Sequence, residues 1–312
     1  MLEIRGKICY TIAKEGKSDK ERDMVYVLLG IAALAVTCQD IFKQKYNSRC
    51  NGGVFFFSGM ISLFAMLFFM AVNRDWSYRA ELLLPSVGFA LSYATATVCA
   101  VLAIRCGSLA KTTLIVSCSL LIPSFYGMVA LKEPISVTLV IGTVLLLVAL
   151  FLINYRKQAK GERKTKGASW KWAIFVVLAF VGNGMCSTVQ KAEQLYFGEE
   201  GKNMFMIVAL GFVVVILLTL SFCLREERTA MKETLRRGWL WALLCGLMNG
   251  LTNYLVIYLN PRLPASVLFP VISGGSLTLV FLYSTLIRKE KFSPRQYVGF
   301  LVGVVSIVLL NL

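Results

Sequence analysis

The chain has 312 residues, of which 57% are hydrophobic and 16% charged, and its mean hydropathy is +0.69. Soluble globular domains carry about 25% charged residues, so this composition excludes that class and predicts a membrane protein. A formal net charge of +16 could suggest a nucleic-acid partner. The basic residues lie in short loops between apolar runs, so topology control and contact with membrane lipids explain them better, and no nucleic acid is expected.

Ten apolar stretches approach the length of about 20 residues with which an α-helix crosses a bilayer. Their apolar residues are continuous rather than alternating, which favours helices over strands. The expected fold is therefore an all-α polytopic membrane protein. The ten predicted spans are 24–46, 53–73, 82–104, 108–131, 134–154, 171–191, 203–223, 238–259, 265–287 and 294–311.

The spans divide into two groups of five. A polar N-terminal tail at 1–23 precedes a first group at 24–154, and a basic linker at 155–170 precedes a second group at 171–312. The tail has no apolar core of signal-peptide type, so no cleaved signal is expected. Because five is odd, the second group enters the membrane from the opposite side. Two such halves form inverted repeats, an architecture that places a substrate site between the repeats.

A duplicated motif supports the repeat. Residues 131–146 read LKEPISVTLVIGTVLL, and 157 positions later residues 288–303 read RKEKFSPRQYVGFLVG. The positions in common are Lys132/Lys289, Glu133/Glu290, Ser136/Ser293 and Gly142/Gly299. Each glutamate precedes an apolar run, so we expect it to complement the dipole of the helix that follows it.

Span 1 carries the only acidic residue well inside an apolar run, Asp40. Helical spacing places Asp40, Lys43 and Gln44 on one side of the helix. Ionisable residues within a membrane usually face a bundle interior or a water-filled cavity, which favours a site for coupling or substrate contact. The alternative is an Asp40–Lys43 pair close to the membrane surface, from which Lys43 extends to water.

Span 6 presents a matching polar face formed by Asn183, Ser187, Gln190 and Lys191. If Lys43 and Lys191 both reach a central cavity, the site favours an anionic or zwitterionic substrate. If they lie at helix ends, they are interfacial anchors instead.

Spans 3 and 8 are the third helix of each half, and both are polar in the middle. The cavity candidates on these two spans are Tyr93, Thr97, Asn249 and Asn253. Neutral hydroxyls and amides can also bond neighbouring helices, so a purely structural role is the alternative. Gly246 and Gly250 form a GxxxG on span 8, which we interpret as close packing inside the bundle rather than dimerisation.

Spans 4 and 9, again corresponding helices, each hold an internal proline, Pro123 and Pro270. Proline removes a helix hydrogen bond and kinks or loosens the helix. Paired interruptions of this kind indicate moving or binding helices in duplicated transporters, while a static kink is the alternative. Ser273 follows Pro270 and joins the cavity candidates.

The chain resembles the drug/metabolite transporter superfamily, specifically its EamA-like members. The resemblance lies in the ten-span layout, in the Lys-Glu pair after spans 4 and 9, and in the glycine of the span that follows each pair. The resemblance covers residues 24–312 and implies a secondary transporter of small solutes, with a central cavity lined by spans 1, 3, 4, 6, 8 and 9. Small four-helix relatives carry a coupling glutamate in the middle of their first helix. Here Asp40 lies nearer the end of span 1, which disfavours proton coupling through that position.

Other chemistry is disfavoured. The chain has no histidine, its nine cysteines form no CxxC, and it has no phosphate-binding glycine loop, so no cofactor, metal site or enzymatic activity is expected. The expected function is alternating-access transport of a small polar metabolite or drug by a monomer or homodimer in a bacterial cell membrane. A sensor or assembly partner on the same fold is the alternative. The excess of Lys and Arg in loops after odd-numbered spans predicts that those loops are cytoplasmic, whereas the family resemblance implies cytoplasmic termini, so the orientation stays open.

Overall fold

The computed structural model describes residues 19–50, 52–77, 79–106, 112, 115–133, 135–154, 170–197, 201–287, 289 and 293–310. Most of the tail at 1–23 and of the linker at 155–170, and Glu290 of the duplicated motif, lie outside these residues. The regular secondary structure of the described residues is helical throughout. The α-helices are α1 Asp19–Asn47, α2 Val54–Val72, α3 Leu83–Cys106, α4 Leu121–Val129, α5 Val137–Asn154, α6 Trp170–Phe197, α7 Lys202–Cys223, α8 Arg225–Glu233, α9 Trp239–Leu259, α10 Ala265–Leu286 and α11 Pro294–Leu310.

These helices coincide with the predicted spans to within a few residues at most boundaries. In the described part of the chain, seven helices are long and apolar enough to cross a membrane, and three shorter apolar helices occupy Ile115–Val129, Val137–Ile153 and Pro294–Leu310. The prediction of an all-helical, multi-pass integral membrane protein is confirmed.

Helix α8 has no counterpart among the predicted spans. Its sequence, REERTAMKE, has Glu226 and Glu227 in its first turn and Lys232 in its last turn, an order that complements the helix dipole. A π-helical segment, Thr234–Gly238, then leads into α9. The Glu227 side chain of α8 is buried, and its Oε2 accepts hydrogen bonds from the amides of Phe55 and Phe56 at 3.0 and 3.4 Å. This carboxylate therefore caps the N-terminus of α2.

The chain forms two compact units, each built from both halves of the sequence. Among the described residues, unit I lies within 17–94 and 188–262, and unit II lies within 95–187 and 263–312. In unit I, α1 packs on α9, and α2 packs on both α7 and α9. In unit II, α5 packs on α11, and α10 packs on α4 and α11.

The GxxxG glycines of α9 allow α2 to approach closely. A Cβ at Gly246 would lie 2.4 Å from the Cβ of Phe64 and 2.8 Å from the carbonyl oxygen of Ile61. A Cβ at Gly250 would meet the ring of Phe68 at 2.7 Å. The prediction that these glycines serve packing within the chain is confirmed.

Glu133 binds a different helix from the one predicted. Its carboxylate accepts bonds from the amide of Ala265 at 2.8 Å and from the amide and hydroxyl of Ser266 at 3.2 and 2.9 Å. It therefore caps α10, and the expectation that it serves α5, the helix following it, was wrong. The preceding Lys132 has a φ of 53°, which turns the loop so that the Glu133 amide bonds the Gly127 carbonyl at 3.1 Å.

Two pairs of corresponding positions share an unusual backbone conformation. Lys132 and Lys289 have φ values of 53° and 54°, in the left-handed region that non-glycine residues rarely adopt. Gly53 and Gly201, the N-caps of α2 and α7, have φ values of 69° and 76°. The loops that precede the second helix and follow the fourth helix of each half thus turn in the same way.

Candidate functional site

Side chains of three helices form a hydrogen-bonded cluster within unit I, here called the amide network. Gln39 of α1 donates to the Thr252 hydroxyl of α9 at 3.0 Å and accepts from the Asn249 amide at 3.2 Å. Asn253, one turn further along α9, donates to the side-chain and main-chain oxygens of Asn249 at 3.1 and 2.9 Å. Gln190 of α6 reaches the Asn253 oxygen at 3.5 Å. The network joins helices from both halves of the chain.

The amide network is neutral and only partly enclosed. Gln39 and Gln190 are 4% and 3% exposed, whereas Asn249, Thr252 and Asn253 are half-buried. Each primary amide offers two donor hydrogens and two acceptor lone pairs, which exceeds the bonds described above. The half-buried amides can therefore bind a polar solute without giving up all of their bonds to one another. Asn249 and Asn253 were predicted cavity residues. Gln190 was recognised on the polar face of span 6 but not chosen as a cavity candidate, and Gln39 was missed.

The Asp40–Lys43 pair lies on the same helix as Gln39. The Lys43 ammonium is 3.7 Å from the Asp40 carboxylate, and the two side chains are 47% and 49% exposed. Cys245 of α9 donates to the main-chain carbonyl of Gln39, the residue before Asp40, at 3.6 Å. Tyr93 of α3 is half-buried and stacks on Phe89 with ring centroids 6.2 Å apart. Gln44, the neighbouring candidate, is exposed.

The end of α6 within unit I buries several polar side chains. Lys191 is 3% exposed, and its ammonium donates to the carbonyl oxygen of Asn260, directly after α9, at 2.5 Å. Glu193 is 1% exposed; Gln194 donates to its Oε2, while its Oε1 has no hydrogen-bond partner among the described residues. The structure thus places Lys191 in contact with α9 and adds a buried acid that the sequence analysis did not select.

Unit II holds the remaining candidates. Asn183 of α6 donates to the Ser119 hydroxyl at 2.6 Å, within a 3-10 turn at Cys118–Leu120 that immediately precedes α4. Pro123 lies in the first turn of α4 and cannot donate to the Ser119 carbonyl, which accounts for the change of helix type there.

Four other candidates of unit II show no such interruption or cluster. Pro270 lies inside α10, which is continuous, and the Ser273 carbonyl accepts a bond from the Ser276 hydroxyl at 2.9 Å. Thr97 and Ser187 are half-buried on α3 and α6. Among the described residues no group of three His, Cys, Asp or Glu side chains could hold a metal ion.

The long apolar helices and the polar side chains among them define an integral, multi-pass membrane protein. Residues 170–312 match the model of the EamA-like transporter family, part of the drug/metabolite transporter superfamily, so the resemblance expected from the sequence is confirmed for this part of the chain. No curated protein matches the sequence. A crystal structure described only as that of a protein superposes with a TM-score of 0.70 at 11% identity, covering 92% of this chain and 98% of that one. This likeness shows the fold alone.

Proposed function

We propose that the chain is a secondary transporter that moves a small polar solute across a bacterial cell membrane by alternating access. The observation that carries this proposal is the amide network, because it brings neutral hydrogen-bonding groups from both halves together among membrane-spanning helices. Polar side chains within a membrane are costly to bury and usually mark substrate or ion pathways. The match of residues 170–312 to a transporter family supports the same class.

Ten spans arranged as two inverted repeats are part of the proposal. The matching φ values of Lys132 and Lys289, and of Gly53 and Gly201, support a repeated backbone. Two pairs of corresponding helices, α2 with α7 and α5 with α11, pack on each other, as helices beside a two-fold axis between the repeats would. Helices α5 and α11 have 18 and 17 residues. At 1.5 Å per residue they reach about 26 Å, close to the roughly 30 Å of a hydrocarbon core.

The chemistry of unit I suggests what the solute carries. Amides both donate and accept, so the network suits hydroxyl, amide or similar neutral groups. The Asp40–Lys43 pair, about half exposed and on the same helix, offers one charge of each sign. We therefore propose a neutral or zwitterionic solute and assign charge recognition to this pair. Lys191, bonded to the Asn260 carbonyl, holds α6 against α9 in this proposal.

Alternating access requires a helix that can change shape, since a solute drives transport only by binding two states differently. We propose the segment around Pro123 as the flexible point within unit II. The proline removes one main-chain bond, and the Ser124 hydroxyl donates to the Leu120 carbonyl at 2.9 Å, a contact that bends helices. The Asn183–Ser119 contact restrains this segment in the conformation described here.

The alternative is a membrane protein that binds a partner or senses a solute without transporting it. The bonds within the amide network favour it, because a set of side chains that satisfy one another can simply hold α1, α6 and α9 together. Interhelical bonds of this kind contribute about 1 kcal/mol each.

A stability screen of the purified protein in detergent tests the proposal. The solutes would be amino acids, sugars, sugar phosphates, nucleotide sugars and quaternary cations. A ligand that binds only the folded state adds about 2.7 kcal/mol at 100 times its dissociation constant, which is readily visible. We expect one class of neutral or zwitterionic solutes to stabilise the protein and Asn253→Ala to abolish the effect. Asn73→Ala, in the loop after α2, is the matched control and should retain it. Stabilisation that survives Asn253→Ala would remove the amide network from the site.

A further inference from the structure

A cleft at one end of unit I is lined by three arginines and two tryptophans. It has a volume of about 650 Å³ and lies where α1 ends and α9 begins. Arg49 follows α1, Arg236 and Arg237 belong to the π-helical segment before α9, and Trp239 and Trp241 lie in the first turn of α9. None of these residues was a cavity candidate, and none belongs to the amide network.

Contacts of Tyr46 hold the π-helical segment behind the cleft in place. The Tyr46 hydroxyl bonds the Thr234 hydroxyl at 2.9 Å and donates to the Gly52 carbonyl at 2.8 Å. Its ring stacks on Phe57 with centroids 3.6 Å apart, and the same ring lies against Gly238 so closely that a Cβ there would collide with it. Thr234 and Gly238 are the two ends of the segment that carries Arg236 and Arg237. These arginines are therefore held in place at the backbone rather than displayed on a loose loop.

The charge of the cleft is strongly positive. Three guanidinium groups line it. Among the described residues, one of them forms an ion pair, with 3.7 Å between Arg237 and the Glu233 carboxylate. The Arg49 guanidinium lies over the Trp241 ring, 5.2 Å from its centroid, which orients it beside the indole. Arginine presents planar paired donors that match a phosphate, and several together form a phosphate site.

The position of the cleft favours a phospholipid headgroup over a soluble phosphate ion. The cleft lies at helix ends, where tryptophan is enriched at the boundary between hydrocarbon and headgroups. Trp239 and Leu240 are 48% and 44% exposed, so an apolar surface continues from the arginines along α9. A soluble anion needs only the arginines, whereas a phospholipid uses both the arginines and this apolar surface. We propose that the cleft binds the headgroup of an anionic phospholipid, with its acyl chains lying along α9.

Native mass spectrometry of the purified protein can count bound lipid directly. We expect phosphatidylglycerol or cardiolipin to bind more tightly than phosphatidylcholine, and the triple variant R49Q/R236Q/R237Q to lose this preference. A basic side chain near an anionic surface contributes about a fivefold effect, so three should weaken binding by about 100-fold. The matched control is R225Q/R228Q/K232Q, which removes the same charge from exposed positions of α8 outside the cleft. It should bind lipid almost as the unchanged protein does.

Competition separates the two sources of phosphate. Glycerol phosphate and inorganic phosphate at millimolar concentration should displace little of the bound lipid, because they lack acyl chains. Equal loss of lipid in the two triple variants, equal binding of phosphatidylcholine, or full displacement by inorganic phosphate would overturn the proposal. If the cleft variant unfolds, the single variants Arg236→Gln and Arg228→Gln can be compared in its place. Equal affinities of these two variants for anionic phospholipid would also overturn the proposal.

Discussion

The closest approach between α9 and α2 offers a sharp test of the packing in unit I. Gly246→Ala would place a methyl carbon 2.4 Å from the Cβ of Phe64 and 2.8 Å from the Ile61 carbonyl oxygen. Carbon atoms prefer separations of about 3.5–4.0 Å, so the two helices would have to part by about 1 Å. Neither obstructing atom can rotate away, because one is a Cβ and the other is main chain.

Overpacking of this kind costs about 1–3 kcal/mol, while alanine in place of glycine recovers up to about 1 kcal/mol of helix propensity. We therefore expect a net loss of about 1–2 kcal/mol. In chains of this size that corresponds to a fall in melting temperature of roughly 2–6 °C. Fluorescence-detected thermal unfolding in detergent measures it.

Gly30→Ala is the matched control. Gly30 lies in α1, and a Cβ there meets nothing within 4 Å. The same chemical change should then raise the melting temperature slightly or leave it unchanged. A Gly246→Ala protein as stable as the unchanged protein would refute the close packing of α9 on α2, and an equal fall in both variants would point to a general effect of the substitution.

Three glutamates at different kinds of site should respond differently to replacement by glutamine, all measured as melting temperature at pH 7. Glu133→Gln weakens three bonds to the start of α10 and should destabilise the protein by about 2 kcal/mol, since bonds to charged groups are worth about 1.5–3 kcal/mol each. Glu227→Gln retains the shape of the α2 cap but loses its charge, so a smaller loss of about 1 kcal/mol is expected. Glu193→Gln removes a buried carboxylate whose Oε1 lacks a hydrogen-bond partner in the described part of the chain, and it should leave stability unchanged or raise it. A loss at Glu193 as large as that at Glu133 would contradict its description as an unsatisfied acid.

The membrane-spanning helices could be predicted because hydropathy is a local property of the chain. Helix α8 was not predicted, because its sequence REERTAMKE is polar and hydropathy does not detect it. The carboxylate of its buried Glu227 has a role only in contact with α2. The partner of Glu133 was also beyond local reasoning. A helix start lies next to it in sequence, but the turn at Lys132 directs its carboxylate to α10, more than a hundred residues away.

The candidate site shows the same limit. Asn249 and Asn253 were visible as amides four residues apart in an apolar run. Gln39 was not, because it lies beside Asp40 and periodicity alone cannot say which face of α1 meets α9. Lys191 allowed two interpretations from sequence, a cavity residue or an interfacial anchor, and its contact with the Asn260 carbonyl could not be foreseen from either. The roles of Gln39 and Lys191 depend on contacts with residues far away in the sequence, and those contacts depend on how the helices pack.

The most direct test of the proposed function is uptake of labelled solute by proteoliposomes that contain only this protein. The solute is the one that stabilises the purified protein most in the ligand screen. The proposal predicts uptake that saturates with solute concentration, is abolished by Asn253→Ala and is retained by Asn73→Ala. Solute binding without any uptake above that of protein-free vesicles would contradict transport and would favour a protein that senses its ligand.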